Sequence, residues 1–183
     1  MTINAKHVEF LIQQLNVLVV DDNPFMRKIV RSMLNNIGAK KTFEAADGIA
    51  ALDMIRQALP DIVVLDWEMP LLNGPELVRI VRSPGVFPMP DIPIIMLSAH
   101  GERWRIVESV KIGVNEFLCK PVSAKALLDR LISILLKPRE SVRLGEYTAR
   151  RSTFRCCGRR LISSTRRRPR PDRIFPMVRR MPG

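Results

Sequence analysis

Residues 17–24 read VLVVDDNP, and the order of residue types in this stretch decides the fold. Four consecutive apolar residues are typical of a short strand buried on both faces of a parallel sheet. The carboxylates Asp21 and Asp22 follow that strand, and Asn23 with Pro24 then forms a typical helix start. The stretch therefore predicts one unit of strand, polar turn and helix.

The same unit recurs along the chain. Strands are predicted over residues 17–20, 42–45, 62–65, 94–97 and 116–118, and helices over 26–37, 51–59, 75–82, 104–112 and 127–135. Asp47 and Ser123 are predicted N-terminal caps, and Gly38 and Gly113 follow two of the helices. The alternation predicts an α/β fold, (βα)₅, in which a doubly wound five-stranded parallel sheet lies between two layers of helices.

Composition divides the 183 residues into three parts. Residues 1–15 form an N-terminal extension, for which a short amphipathic helix over 8–15 and an irregular segment stay equally open. Residues 16–138 hold the α/β domain, and 139–183 form an Arg/Pro-rich tail that we expect to be disordered. Apolar runs do not exceed five residues and the first ten residues lack a signal-peptide pattern, so we expect a cytoplasmic protein and no membrane partner.

The tail carries most of the net charge of +12. It holds 14 of the 30 basic residues, all arginine, against three of the 18 acidic ones. Such a segment favours nucleic-acid binding through phosphate neutralisation. A second interpretation is out-of-frame translation of a GC-rich gene, in which case the tail has no evolved function.

Charged and hydroxyl side chains end four of the predicted strands. They are Asp21 and Asp22 after the first, Asp66 after the third, Ser98 after the fourth and Lys120 after the fifth. Parallel strands present their carboxyl ends at one edge of the sheet, where ligands collect. Clustered carboxylates need a cation, and a few carboxylate oxygens suit Mg²⁺, which also binds phosphate oxygens. The set therefore predicts phosphoryl transfer to a carboxylate.

The motifs around these positions closely resemble the CheY-like receiver domain of two-component response regulators. They are Val19-Val20-Asp21-Asp22, Leu65-Asp66-Trp67-Glu68-Met69-Pro70 with Gly74, Leu97-Ser98-Ala99, and Phe117-Leu118-Cys119-Lys120-Pro121. The resemblance covers residues 15–137 and implies a flavodoxin-like fold. It implies that Asp66 accepts the phosphoryl group, and that Asp21, Asp22, Asp66 and the backbone carbonyl of Glu68 hold Mg²⁺.

The resemblance also implies roles for residues at the last two strands. Ser98 matches the hydroxyl that moves towards the phosphoryl group, and Lys120 matches the lysine that pairs with it. Pro121 matches a proline often held in a cis bond. Phe117 occupies the aromatic switch position but lacks a tyrosine hydroxyl, so its switching must act through packing alone.

Four further side chains lie in or near these motifs. Glu68 adds a carboxylate beside the site, and His100 follows Ser98 by two residues. We expect both to modulate the rate of phosphorylation or dephosphorylation. Trp67 and Trp104 are expected to be packing residues.

The sequence thus predicts a phosphoacceptor signalling switch rather than a conventional enzyme. Its expected phosphodonor is a histidine kinase or a histidine phosphotransfer protein. Its expected target is a protein that binds the face formed by the fourth predicted helix (104–112), the fifth strand and the fifth helix. A receiver whose basic tail binds nucleic acid is one alternative. A phosphatase of the haloacid-dehalogenase type is another, because that class also uses an aspartate nucleophile with Mg²⁺.

Overall fold

The computed structural model describes residues 5–83 and 85–136, with four short strand segments in the tail. A five-stranded parallel sheet has the order β2-β1-β3-β4-β5. Its strands are β1 (Asn16–Val20), β2 (Lys41–Ala45), β3 (Ile62–Asp66), β4 (Ile94–Ser98) and β5 (Glu116–Cys119). The helices are α1 (Ala5–Ile12), α2 (Pro24–Ile37), α3 (Gly48–Ala58), α4 (Gly74–Arg82), α5 (Arg103–Ile112) and α6 (Ala124–Leu136). The predicted (βα)₅ fold is confirmed.

Alternation along the central strands divides the core into two layers. Leu18 and Val20 of β1 face a layer that α3, α4 and α5 complete, whereas Val17 and Val19 face a layer completed by α1, α2 and α6. Strands β3 and β4 are buried throughout, as their continuous apolar runs predict. The sheet is therefore fixed from both sides, and its carboxyl edge is a rigid platform.

Local capping sets where the helices begin and end in the structure. Asp47 accepts a hydrogen bond from the backbone N–H of Ala50, so α3 begins at Gly48 rather than at residue 51. Ser123 accepts one from the N–H of Ala126 at the start of α6. Gly38 and Gly113 end α2 and α5 with φ of 94° and 90°, in the left-handed region that favours glycine.

The N-terminal extension contains a helix. Helix α1 lies against α6, and its last residue Ile12 and the following Leu15 are buried among the side chains of α2, α6 and the sheet. The helix begins and ends three residues earlier than the predicted range 8–15. Because Ile12 is 3% exposed, the extension enlarges this layer of the core.

Most of the tail lies outside the described residues. Its described segments form two antiparallel pairs, β6 (Ser141–Leu144) with β7 (Tyr147–Arg150) and β8 (Arg155–Cys156) with β9 (Arg159–Arg160). Disorder of the tail and its binding to nucleic acid stay predictions. Within the described ranges, every helix is too short or too polar to cross a membrane.

The burial of Ile12 predicts that α1 contributes to stability. Ile12→Ala should lower the free energy of unfolding by about 2 kcal/mol or more, because it removes buried methyl groups and leaves a cavity. Phe10→Ala in the same helix is the matched control, since Phe10 is 58% exposed. Urea denaturation of both variants measures the difference. Equal, small losses for the two would show that α1 does not contribute to the core.

Candidate functional site

The sheet order brings the predicted polar residues to one edge. Strands β1, β3, β4 and β5 are consecutive neighbours, and their carboxyl ends lie within about two residues of one another in register. Asp66 ends β3 opposite Leu97, and Ser98 ends β4 opposite Cys119. Lys120 follows β5 directly, and the Lys120–Pro121 bond is cis. Residues far apart in the chain thus come together because parallel strands share one carboxyl edge.

A partly buried lysine joins two of the carboxylates. The Lys120 Nζ lies 2.8 Å from Asp21 Oδ2 and 2.9 Å from Asp66 Oδ1. Both aspartates are buried, and the Lys120 side chain is mostly covered. Trp67 donates its backbone N–H to the same Asp66 Oδ1 at 2.9 Å. Both contacts of the Asp66 side chain described here therefore go to Oδ1, and Oδ2 is left for other chemistry.

Asp22 completes an acidic cluster. One carboxylate oxygen from each of Asp21, Asp22 and Asp66 lies within 4.8 Å of the others. Three ionised carboxylates and the Lys120 ammonium leave two net negative charges, which one divalent cation would neutralise. The donors are all oxygens, and Asp22 is exposed, so the cluster opens to water. This set fits Mg²⁺, which binds few carboxylates and keeps several waters.

Burial and the local charges act on the pKa values of two groups. Burial raises the pKa of Asp66, while the Lys120 ammonium and the Trp67 N–H oppose that rise. Burial alone would lower the pKa of Lys120, but its hydrogen bonds to Asp21 and Asp66 raise it. Lys120 therefore stays charged, and the ionised form of Asp66 is held at a free-energy cost without a cation.

Backbone contacts fix the first acidic turn. Asn23 donates its N–H to Asp21 Oδ1 at 2.9 Å and caps α2 with its own side chain. Arg27 donates to the backbone carbonyls of Asp21 (2.7 Å) and Asp22 (3.2 Å). Sequence reasoning did not find Arg27. Its position on the first turn of the helix after the acidic pair was the available signal.

The residues with a predicted switching role lie next to the cluster. Ser98 is fully buried, and its Oγ accepts a hydrogen bond from the His100 N–H at 3.1 Å. Phe117 is buried and meets the Trp67 ring edge-on, with centroids 6.3 Å apart. Trp67 thus connects Asp66 to Phe117 on β5.

Glu68 is exposed and turns towards α5. Its Oε1 lies 2.8 Å from Arg105 Nη2 and 3.7 Å from His100 Nδ1. The two residues predicted to modulate rates are therefore neighbours. Arg105 was absent from the predicted site, because a single arginine in a helix of mixed polarity carries no distinctive sequence signal.

The prediction for the two tryptophans is half right. Trp67 is buried and packs as expected, but Trp104 is 55% exposed. Trp104 lies on the first turn of α5, where its ring stands at 88° to that of Trp67 with centroids 5.9 Å apart. Packing against Trp67 covers only part of the Trp104 ring.

Gly74 allows the turn after β3 to close. A Cβ at this position would overlap the backbone carbonyl oxygen of Asp66 and lie 3.0 Å from Met96 Sδ and 3.1 Å from Trp67 Cα. The start of α4 therefore lies directly against the backbone of Asp66. Asn73 fixes that start through a capping box with Glu76.

A cleft of about 380 Å³ opens beside the cluster. It is lined by Asp22, Trp67, Glu68, Met69, Pro70 and Asn73. The cleft therefore reaches the exposed side of the acidic cluster at Asp22.

Comparisons with known proteins agree with this geometry. The sequence-family model of the response regulator receiver domain matches residues 17–132 of this chain. The chemotaxis protein CheY-3 of Vibrio cholerae serotype O1 is 36% identical over 122 residues, covering 67% of this chain and 92% of the relative. The receiver domain of a Francisella response regulator is 30% identical with a TM-score of 0.62, covering 69% of this chain and all of that one.

A third similarity concerns a complex. A chain of the CheX–CheY–BeF3–Mg²⁺ complex from Borrelia burgdorferi is 28% identical with a TM-score of 0.61, covering 66% of this chain and 89% of that one.

This chain belongs to the response regulator receiver domain family. Its function is that of a phosphorylation-dependent signalling switch, and the comparisons give no support to a haloacid-dehalogenase-type phosphatase.

The close approach at Gly74 predicts that an added methyl group is not tolerated. Gly74→Ala should lower the free energy of unfolding by about 2 kcal/mol, because the β3 terminus must move to relieve the overlap. Gly85→Ala is the control. A Cβ there meets open space, so only its left-handed φ of 72° acts, at about 1 kcal/mol. Thermal unfolding measures both losses, and a smaller loss at Gly74 than at Gly85 would contradict the prediction.

The raised pKa of Asp66 predicts that this residue destabilises the metal-free protein. The Asp66 carboxyl group ionises at a lower pH in the unfolded chain than in the folded protein. The free energy of unfolding therefore falls as the pH rises from the unfolded pKa through the folded pKa. Asp66→Asn should therefore be more stable at pH 7 in a chelator by about 1 kcal/mol. The difference should shrink as the pH falls.

Thermal melts in chelator, at neutral pH and at successively lower pH, measure that difference. Adding Mg²⁺ should also shrink it, because a cation that binds the wild-type site stabilises the folded state. A wild-type protein more stable than Asp66→Asn at neutral pH in chelator would show that the Lys120–Asp66 pair outweighs the burial of the carboxylate.

Proposed function

We propose that Asp66 accepts a phosphoryl group from a histidine kinase or a histidine phosphotransfer protein. The observation that carries this proposal is the Lys120 ammonium, which lies between two buried carboxylates at the carboxyl edge of the sheet. It holds Asp66 through Oδ1, so Oδ2 is the oxygen that attacks phosphorus. The new bond joins Oδ2 to phosphorus, the bond from phosphorus to the donor imidazole breaks, and the imidazole nitrogen keeps the electron pair.

The residues that would hold Mg²⁺ are Asp21, Asp22 and Asp66, together with the backbone carbonyl of Glu68. Their oxygen donors support this assignment, as does the Mg²⁺ in the similar complex from Borrelia burgdorferi. Bound Mg²⁺ would neutralise charge on the phosphoryl oxygens. Lys120 supplies a further positive charge next to Asp66. The chain itself would therefore neutralise part of the negative charge of an acyl phosphate formed there.

Ser98 and Phe117 form the proposed switch. The Ser98 hydroxyl lies at the end of β4, the strand next to β3, and in this proposal it moves towards a phosphoryl group on Asp66. Phe117 packs against Trp67, the residue that follows Asp66, so displacement of Ser98 and Trp67 would change its packing. Switching of this kind needs no tyrosine hydroxyl.

Two neighbouring side chains are proposed to set the rates. Glu68 and His100 lie 3.7 Å apart beside the cleft, where they would act on the donor or on a hydrolytic water. The proposed protein target binds the face formed by α5, β5 and α6, on which Trp104 and Val107 expose apolar surface. A cytoplasmic location stays a prediction.

The chemistry can be tested by intact mass. Incubation with Mg²⁺ and acetyl phosphate or phosphoramidate should add one phosphoryl group to the wild-type chain and none to Asp66→Asn, because the substitution removes the nucleophilic oxygen. Asp47→Asn is the matched control, since Asp47 caps α3 away from the acidic cluster. It should accept the group like the wild type.

Two outcomes would contradict the proposal. An adduct of equal yield on Asp66→Asn would place the phosphoacceptor elsewhere. Steady hydrolysis of a simple phosphomonoester that Asp66→Asn abolishes would identify a phosphatase, because a receiver of this class reacts with acyl phosphates and phosphoramidates and not with ordinary esters.

A further inference from the structure

Arg105 is held on several sides at once. Its Nη2 lies 2.8 Å from Glu68 Oε1, and its Nε donates to Glu102 Oε2 at 2.9 Å. The guanidinium carbon lies 5.2 Å from the centroid of the Trp67 ring and 5.0 Å from that of Trp104. The side chain is only 12% exposed, whereas its partner Glu68 is 58% exposed. We call this arrangement the Arg105 clamp.

The clamp joins α5 to the segment that follows β3. Helix α5 has Glu102 at its N-cap position without a side-chain capping bond, and it places Arg103 and Arg105 at its positive end. Capping and helix dipole therefore do not explain why Arg105 lies where it does. The two indole rings and the two carboxylates hold it, and a planar guanidinium suits such a site better than an ammonium does.

The position of Glu68 gives the clamp a consequence for the acidic cluster. Glu68 follows Asp66 by two residues and lines the same cleft as Asp22. Its side chain is long and exposed, and a different rotamer would direct a fourth carboxylate towards the cation site. The pair with Arg105 opposes that change of rotamer and cancels the charge of Glu68.

We propose that Arg105 is a positioning residue that holds the Glu68 carboxylate against α5 and out of the Mg²⁺ site. The proposal rests on the proposed function, since it concerns the same cation. In this arrangement the cation meets three carboxylates and keeps coordination positions for water and phosphoryl oxygens. Without Arg105, Glu68 would enter the cluster and bind the cation more tightly, because affinity for such cations rises with the number of charged ligands.

The test is calorimetric titration of the full-length chain with Mg²⁺ alone. Arg105→Met should bind Mg²⁺ about tenfold more tightly than the wild type, because it frees Glu68. Arg103→Met is the matched control, since it removes the same charge from the same turn of α5 at an exposed position. We expect it to change the affinity by about twofold or less, since exposed charges are strongly screened.

A double-mutant cycle separates positioning from a structural role. In a Glu68→Gln background, Arg105→Met and Arg103→Met should have equal effects, because no fourth carboxylate remains to be released. Arg105→Lys should restore an affinity within about twofold of the wild type, since its ammonium can still pair with Glu68. If Arg105→Met does not fold, Arg105→Gln makes the same comparison.

Two results would overturn the proposal. One is a gain in affinity for Arg105→Met no larger than that for Arg103→Met. The other is a gain that persists undiminished in the Glu68→Gln background, which would show that Arg105 acts through its own charge or through the helix. Neither depends on phosphorylation. A wild-type chain that binds Mg²⁺ but gains no phosphoryl group would contradict the proposed function and leave the clamp intact.

Discussion

The structure of the site depends on one interaction, the placement of the Lys120 ammonium between Asp21 and Asp66. The three residues come from the ends of three strands, so their contact requires the register of the whole sheet. Removing the ammonium would leave two buried carboxylates facing each other across a few ångströms. With the ammonium in place, Asp21, Asp22 and Asp66 carry two negative charges that Lys120 does not neutralise, and one divalent cation balances those two charges. The core packed on both faces of the sheet maintains this balance, because a shift of β1, β3 or β5 would separate the three groups.

Much of this arrangement could be predicted from sequence. Continuous apolar runs such as 62–65 and 94–97 specify strands buried on both faces, and capping residues such as Asp47 specify where helices begin. Because parallel strands share one carboxyl edge, the residues after each run had to meet. The shared carboxyl edge of parallel strands therefore made the acidic cluster of Asp21, Asp22 and Asp66 predictable without coordinates.

Other features could not be predicted, because they depend on distances across the fold. The sequence shows Arg105 beside Trp104. It does not show that both side chains reach Trp67, or that Arg105 pairs with Glu68, after the end of β3. Gly74 stood in a recognisable motif, yet its close contact with the Asp66 carbonyl depends on the angle at which α4 leaves the sheet. Helix α1 left too little periodicity in eight residues to distinguish a helix from an irregular segment.

The edge-to-face contact of Trp67 and Trp104 has a spectroscopic consequence. The Trp67 indole is buried beside Asp66 and the Trp104 indole faces water, yet both lie against the same guanidinium. Indole emission responds to the polarity and charge of its surroundings. A displacement of Arg105 would therefore change the fluorescence of both rings at once, in a chain whose only two tryptophans are these. The protein carries an intrinsic optical probe that spans the acidic cluster and the surface of α5.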